Sequence, residues 1–231
     1  MIIGPFSMQK PESVYNPLML ERRQNLLDSL LTEMDRALRV VGGVAQATNP
    51  SPAQGMEEPE LSPTQRELSA ALMRVNHAGE VAAQALYRGQ AAVTRDPELA
   101  KALRQAGDEE QDHLVWCGGR VGQLGGRTSA LTPAWYAGSF LLGAAAGLAG
   151  DRASLGFLAE TEGQVTRHLD GHLQQLPAED SPSRRIVAEM REHEIAHGAE
   201  ARERGAANMP GPVQGLMRAA AWVMTTVAHR I

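Results

Sequence analysis

The sequence is short of cysteine, lysine, aromatic residues and long apolar runs. One cysteine in 231 residues, Cys117, leaves no intrachain disulfide and no cysteine-based zinc site. A reducing, cytosol-facing compartment is the simplest fit. Lysine occurs only at Lys10 and Lys101, so the positive charge is almost all arginine, and the net charge of −5 excludes a general nucleic-acid binder. Aromatic content is 4%. No basic-then-apolar secretory signal and no Arg-rich amphipathic transit segment is read at the N-terminus. The longest apolar stretch, Ala137 to Gly150, is 14 residues long, below the roughly 20 that cross a bilayer.

Against those absences stands one repeated order of ligand-type residues. Glu80 is followed 30 residues later by Glu110-Gln111-Asp112-His113, and Glu162 is followed 32 residues later by Glu194-Ile195-Ala196-His197. Two lone glutamates and two Glu-x-x-His pairs, one contribution per helix, are the ligand set of a two-metal carboxylate site in a four-helix bundle.

No segment alternates with the period of a strand, and the fold class is all-α. Residues 1–20 read as a disordered tail. A helix over 21–41 carries Leu27, Leu30, Leu31, Met34, Leu38 and Val41 near one face, and Gly42-Gly43 stops it. Pro50, Pro52, Pro59 and Pro63 mark a linker, so 1–61 is expected to be tail, amphipathic helix and linker, with the bundle over 62–231. Ser62-Pro63 starts the first bundle helix, which runs to about Thr94. The next spans Glu98 to about Leu124. An apolar segment over 134–150 continues after Asp151 as a helix to about Leu176, and Pro177 to Pro182 breaks it. A helix from Ser183 to about Ala206 and a C-terminal apolar helix from Val213 to Arg230 complete the chain.

Helical phase tests whether the six residues converge. Leu99, Leu103, Ala106, Glu110, His113, Cys117, Val121 and Leu124 form one stripe, so Glu110 and His113 fall at core positions. Leu155, Leu158, Glu162, Val165, Leu169 and Leu173 form another, and Glu160 points away from it, which selects Glu162. Ile186, Met190, Glu194, His197 and Ala201 share one side of their helix. Met73, Asn76, Glu80, Ala83 and Tyr87 run along the edge of an apolar face, with Gly79 and Ala82 beside them for close helix approach.

Four core carboxylates would each cost several kcal/mol uncompensated, and two divalent cations cancel the charge. A carboxylate–imidazole set without thiolate suits iron or manganese. Glu110 and Glu194, one turn before their histidines, are the natural bridging ligands. His168 and His193 lie near enough to orient carboxylates. His77 is read as exposed or capping, His172 as packing, and Asp112 as a solvated helix position or a hydrogen-bond partner of a ligand imidazole.

The block Leu72-Met-Arg-Val-Asn-His-Ala-Gly-Glu80-Val-Ala-Ala-Gln-Ala-Leu-Tyr-Arg-Gly-Gln90 has no generic bundle explanation. Together with Glu109-Glu110-Gln111-Asp112-His113, Glu162 through Leu169 and Glu194–His197, it resembles the demethoxyubiquinone hydroxylase family of ubiquinone biosynthesis. The resemblance covers about residues 20–231. It implies a ferritin-like di-iron monooxygenase that hydroxylates the ring of 2-polyprenyl-3-methyl-6-methoxy-1,4-benzoquinol. Carried over, the metal ligands are Glu80, Glu110, His113, Glu162, Glu194 and His197, with turnover depending on Glu80, Glu110 and Glu194. Two iron ions, O2 and an external reductant, with NADH the candidate, are the implied cofactors. The partners expected are a polyprenyl quinol and a membrane surface, with no nucleic acid; a biosynthetic complex and a homo-oligomer stay open.

A quinol dissolved in the bilayer requires an apolar way in, which 134–150 and 213–227 are placed to provide by dipping into one leaflet. The expected location is peripheral, on the cytoplasmic face of a bacterial cell membrane. Two other classes remain open at this point. One is a ferritin-like iron-storage or ferroxidase protein, and the other a quinone or lipid carrier on a metal-stabilised bundle.

Overall fold

The computed structural model describes residues 26–231, which form seven helices and, among the described residues, no strand. The expected tail over 1–20, the helix start at 21 and the side chains of Leu27 and Leu30 lie outside what is described. The helices are α1 (Leu26–Val41), α2 (Pro63–Val93), α3 (Pro97–Gln123), α4 (Thr132–Leu148), α5 (Asp151–Gln175), α6 (Ser181–Glu203) and α7 (Gly211–Ala228).

Local chemistry sets the helix starts. Ser62 caps α2 in a reciprocal pair: its Oγ accepts from the Gln65 amide, and the Gln65 side chain accepts from the Ser62 amide at 2.9 Å. Asp96 caps α3 through the Glu98 and Leu99 amides, and Asp180 caps α6 through the Ser183 amide at 3.2 Å. The sequence places a break as far as Pro182, yet Pro182 lies inside the first turn of α6. A first-turn residue has no intrahelical partner for its N–H, so proline there costs nothing. Likewise, α4 does not run on into α5: Gly150, at φ 102°, turns the chain between them.

The hairpins α2/α3 and α5/α6 face each other as the four-helix bundle, while α4 lies along the outside of α2. Its glycines serve that contact. A Cβ on Gly89 would stand 2.1 Å from the Phe140 carbonyl oxygen, and one on Gly143 would stand 2.2 Å from that of Leu86. The close approach expected beside Gly79 is not there, since a Cβ at that position meets nothing within 4 Å. The α7 C-terminus is fixed to α2 by Arg74, whose guanidinium donates to the carbonyls of Ala228 and His229, both at 2.7 Å.

Because α2 is enclosed by α3, α4, α5, α1 and α7, nearly every residue from Ser69 to Ala91 is buried. Two expectations are corrected for that one reason. Glu80 is not at an edge but is fully buried, and His77 is buried rather than exposed or capping. The linker is also tied down: Asp112 accepts from the amides of Thr48 and Asn49 and from the Asn49 side chain. Asp112 is therefore neither a solvated position nor a partner of an imidazole. At the far end of the bundle, buried Arg120 donates to Asp180, Ser183 and the linker residue Glu58.

Candidate metal centre

The six sequence-selected side chains meet between two apolar plugs. Below them lie Leu72, Met73, Trp116, Cys117, Leu169, Ile186 and Met190. Above lie Tyr87, Leu99, Leu103, Leu155, Leu158 and Ala201. Glu80 comes from α2, Glu110 and His113 from α3, Glu162 from α5, and Glu194 and His197 from α6. Ligand atoms of Glu80, Glu110, His113 and Glu194 all lie within 4.8 Å of one another.

The two central glutamates span both halves of the centre. His113 Nδ1 lies 2.9 Å from Glu110 Oε2 and 3.4 Å from Glu194 Oε1, while His197 Nδ1 lies 3.1 Å from Glu110 Oε1 and 3.8 Å from Glu194 Oε2. Each of these carboxylates thus offers one oxygen to each histidine, as a bridging ligand must. Glu80 Oε2 lies 3.5 Å from His113 Nδ1, on that half alone. On the other half, Tyr87 donates to Glu162 Oε1 at 2.8 Å and leaves Oε2 free to point inward.

Both imidazoles turn Nδ1 inward and are held from outside through Nε2. For His113 the partner is His193 Nδ1, at 2.9 Å; for His197 it is Glu109 Oε2, also at 2.9 Å. Such outer partners fix the tautomer and the ring orientation of a ligating histidine. His193 therefore orients an imidazole rather than a ligand carboxylate. Glu109 and Tyr87 were not assigned roles from sequence. The signal for Tyr87 was its position two turns beyond Glu80 on the same stripe. The ring of His168 packs against His172 at 3.9 Å, and its Nε2 is buried without a partner. His172 does more than pack, since it shares a 2.7 Å hydrogen bond with Asn76 Oδ1.

Electrostatics favour a cation here. Buried atoms without hydrogen-bond partners include Glu80 Oε2, Glu110 Oε1, Glu162 Oε2, both Glu194 carboxylate oxygens and His197 Nδ1. Unpaired buried groups of this kind are expensive, and they converge on one space. Burial drives the carboxyls of Glu80 and Glu162 well above the usual range. Burial would raise Glu110 too, but the His113 charge and the histidine hydrogen bonds outweigh it and keep Glu110 well below the carboxylate range. Glu194 is lowered against both burial and the charge of Glu110, by the imidazoles of His113 and His197 that face it. The imidazoles respond in the opposite sense. Burial opposes their charge, yet the carboxylates push His113 well above its ordinary value and His197 up to about 12. A metal ion needs its carboxylates ionised and its imidazoles neutral, so binding at such a set releases protons. The donor set, all carboxylate and imidazole, fits iron or manganese.

An all-helical bundle with this centre is a ferritin-like carboxylate–histidine protein. The ubiquinone biosynthesis protein COQ7 family matches residues 67–228, which takes in the four bundle helices from the second turn of α2 onward and both accessory apolar ones. The chain belongs to that family. It is 51% identical over 217 residues to a 3-demethoxyubiquinol 3-hydroxylase of Ralstonia pickettii, covering 89% of this chain and 100% of that protein. Against the 3-demethoxyubiquinol 3-hydroxylase of Bordetella parapertussis it is 54% identical over 211 residues, 91% of this chain and 95% of the relative. The protein of that name from Nitrosococcus oceani is 51% identical over 211 residues, covering 91% and 99%.

Proposed function

We propose that this protein is a 3-demethoxyubiquinol 3-hydroxylase. In this reading one atom of O2 enters the ring of 2-polyprenyl-3-methyl-6-methoxy-1,4-benzoquinol as a hydroxyl. The other leaves as water, with two electrons from an external reductant such as NADH and two protons. The observation that carries it is the buried set of six carboxylate and imidazole ligands with unpaired atoms turned toward one space. Relatives of that name at about half identity over nearly their full length supply the substrate class. Iron storage shares the ligand plan but is not favoured by those relatives.

Glu110 and Glu194 would bridge two iron ions, Glu80 with His113 would complete one position, and Glu162 with His197 would complete the other. Bound iron would supply the activation of O2, which no side chain can perform. The chain's own residues keep the geometry and the dryness of the site. Tyr87 holds one oxygen of Glu162 so that the other is presented, and His193 and Glu109 hold the two imidazoles in the Nδ1-inward orientation. The apolar plugs exclude water, which preserves the strength of every charge interaction inside. Anaerobic loading with Fe(II), followed by O2, reductant and a short-chain demethoxyubiquinol, tests the reading. The expected product is heavier by one oxygen atom, and metal uptake without that product sinks the assignment.

The quinol's prenyl tail requires a membrane-facing side, and the supporting feature is a set of exposed apolar residues on α1, α4 and α7. They include Leu31, Met34, Leu38, Leu141, Leu142, Leu148, Leu216 and Trp222. No helix of the described residues is long and apolar enough to cross a membrane. We therefore read the attachment as peripheral, on the cytoplasmic face of a bacterial cell membrane, with these helices lying in the interface. Flotation with vesicles of bacterial lipid is the check. Co-flotation that Leu142→Glu and Leu216→Glu abolish is expected, and protein that stays wholly at the bottom of the gradient removes the idea.

A further inference from the structure

At one end of the bundle a narrow cleft of about 30 Å³ leads inward beside α3 and α6. Leu99, Leu103, Leu155 and Leu158 line it, and Tyr87 and His197 belong to its lining too. Its outer part is flanked by the exposed Glu200–Arg204 ion pair, at 2.8 Å. His197 is 9% exposed, whereas none of the other five proposed ligands exceeds 2%. The cleft therefore meets the centre at its least enclosed ligand.

Size and polarity narrow what can use this route. An apolar cavity that holds benzene is about 150 Å³, so a space of about 30 Å³ takes a very small molecule and not a substituted quinol ring. Most of its wall is aliphatic. Of the polar atoms at its inner end, Tyr87 Oη is engaged with Glu162 and His197 Nε2 with Glu109, while His197 Nδ1 faces Glu110. A bound water needs two to four polar partners, and an apolar void lacking them stays dry and takes up apolar guests. The exposed apolar residues of α4 lie on a helix packed along α2, whereas the cleft is lined by α3 and α6 residues with Tyr87 and the start of α5.

We infer that this cleft is the entry route for O2, separate from the route of the quinol. The inference rests on the O2-dependent reading given above. It assigns Leu99, Leu103, Leu155 and Leu158 the task of admitting a small apolar diatomic while refusing the ring. Ala102 and Ala106, both half-buried in the same wall, set the bore.

Xenon pressurisation of crystals of the metal-loaded full chain tests the cleft without reference to turnover. Xenon is expected between the leucines and beside His197. The variants Ala102→Phe and Ala106→Val narrow the bore from the helix side. Each should lose the xenon and raise the KM for O2 several-fold, with the KM for the quinol unchanged. Should one of them fail to fold, the other and the wild-type xenon map still decide. Ordered water filling the cleft, or an unaltered KM for O2 in a folded variant that has lost its xenon, overturns the route. Loaded protein that consumes no O2 with quinol and reductant overturns the hydroxylase reading instead, even with xenon in place.

Discussion

The two halves of the metal centre repeat each other in sequence and differ in their surroundings. His113 is closed off: His193 backs its ring, Trp116 packs at 5.4 Å, and the Trp116 indole donates to the Asn49 carbonyl of the linker. His197 has a carboxylate behind it, an open cleft beside it and no linker residue lining that cleft. The glutamates differ as well, since Tyr87 grips Glu162, while Glu80 Oε2 has no hydrogen-bond partner. Repeated ligands therefore do not make a symmetric site. The asymmetry comes from segments that are not repeated, chiefly the linker that Asp112 pins over one half.

The largest effect should come from removing what the halves share. Glu110→Ala or Glu194→Ala is expected to abolish turnover and prevent loading of both metals, because each carboxylate serves both histidines. Glu80→Ala and Glu162→Ala should each leave one metal bound. Metal content by mass spectrometry after anaerobic loading distinguishes these outcomes, and a Glu194→Ala protein that still holds a full pair of ions would break the bridging assignment.

A smaller effect sharpens the contrast between the halves. Tyr87→Phe and Glu109→Gln should weaken one of two metal-binding events by about 10–100-fold and spare the other, the usual cost of losing a ligand's outer partner. His193→Gln should act on the opposite event. Calorimetric titration with Mn(II) reads both, and equal weakening of the two events in all three variants would mean that the halves are not separable.

A further effect, on stability and not on metal binding, lies beyond the His113 half, where the core holds neutral histidines. Burial lowers His77 from its ordinary 6.5 to about 4, and burial with the charges of His168 and His229 lowers His172 to about 3. Their folded values are depressed, so between pH 6.5 and 4 the unfolded chain binds protons that the folded chain refuses. Stability is then greatest above pH 6.5 and declines as pH falls, by at most about 1.4 kcal/mol per pH unit for each histidine. Urea denaturation of His77→Phe and His172→Gln across that range should show a shallower slope than wild type; an unchanged slope would remove these two groups as its source.

Much of this was legible in the residues. Helical phase selected Glu162 over Glu160, and the structure has Glu162 buried in the centre with Glu160 hydrogen-bonded to Gln164 on its own helix. Phase could not recover what depends on a neighbour. One face of α2 looked like an edge because a helical wheel knows only its own helix, and the cover over Glu80 and His77 comes from α4 and the other helices around α2. Nor does the apolar run 134–150 reveal from its own residues that Gly143 and Gly147 seat α4 against Leu86, Gln90 and Val93 of α2.

The sequence by itself determined the helical class, the caps and the identity of the six ligand-type residues, because periodicity and local hydrogen bonding are properties of a single segment. Tertiary structure alone decided which atoms those residues present to one another, which partners hold the histidines from outside, and which half remains open. Those are contacts between residues tens of positions apart, such as Asn49 with Trp116 and Tyr87 with Glu162. They form only when helices of separate origin pack together.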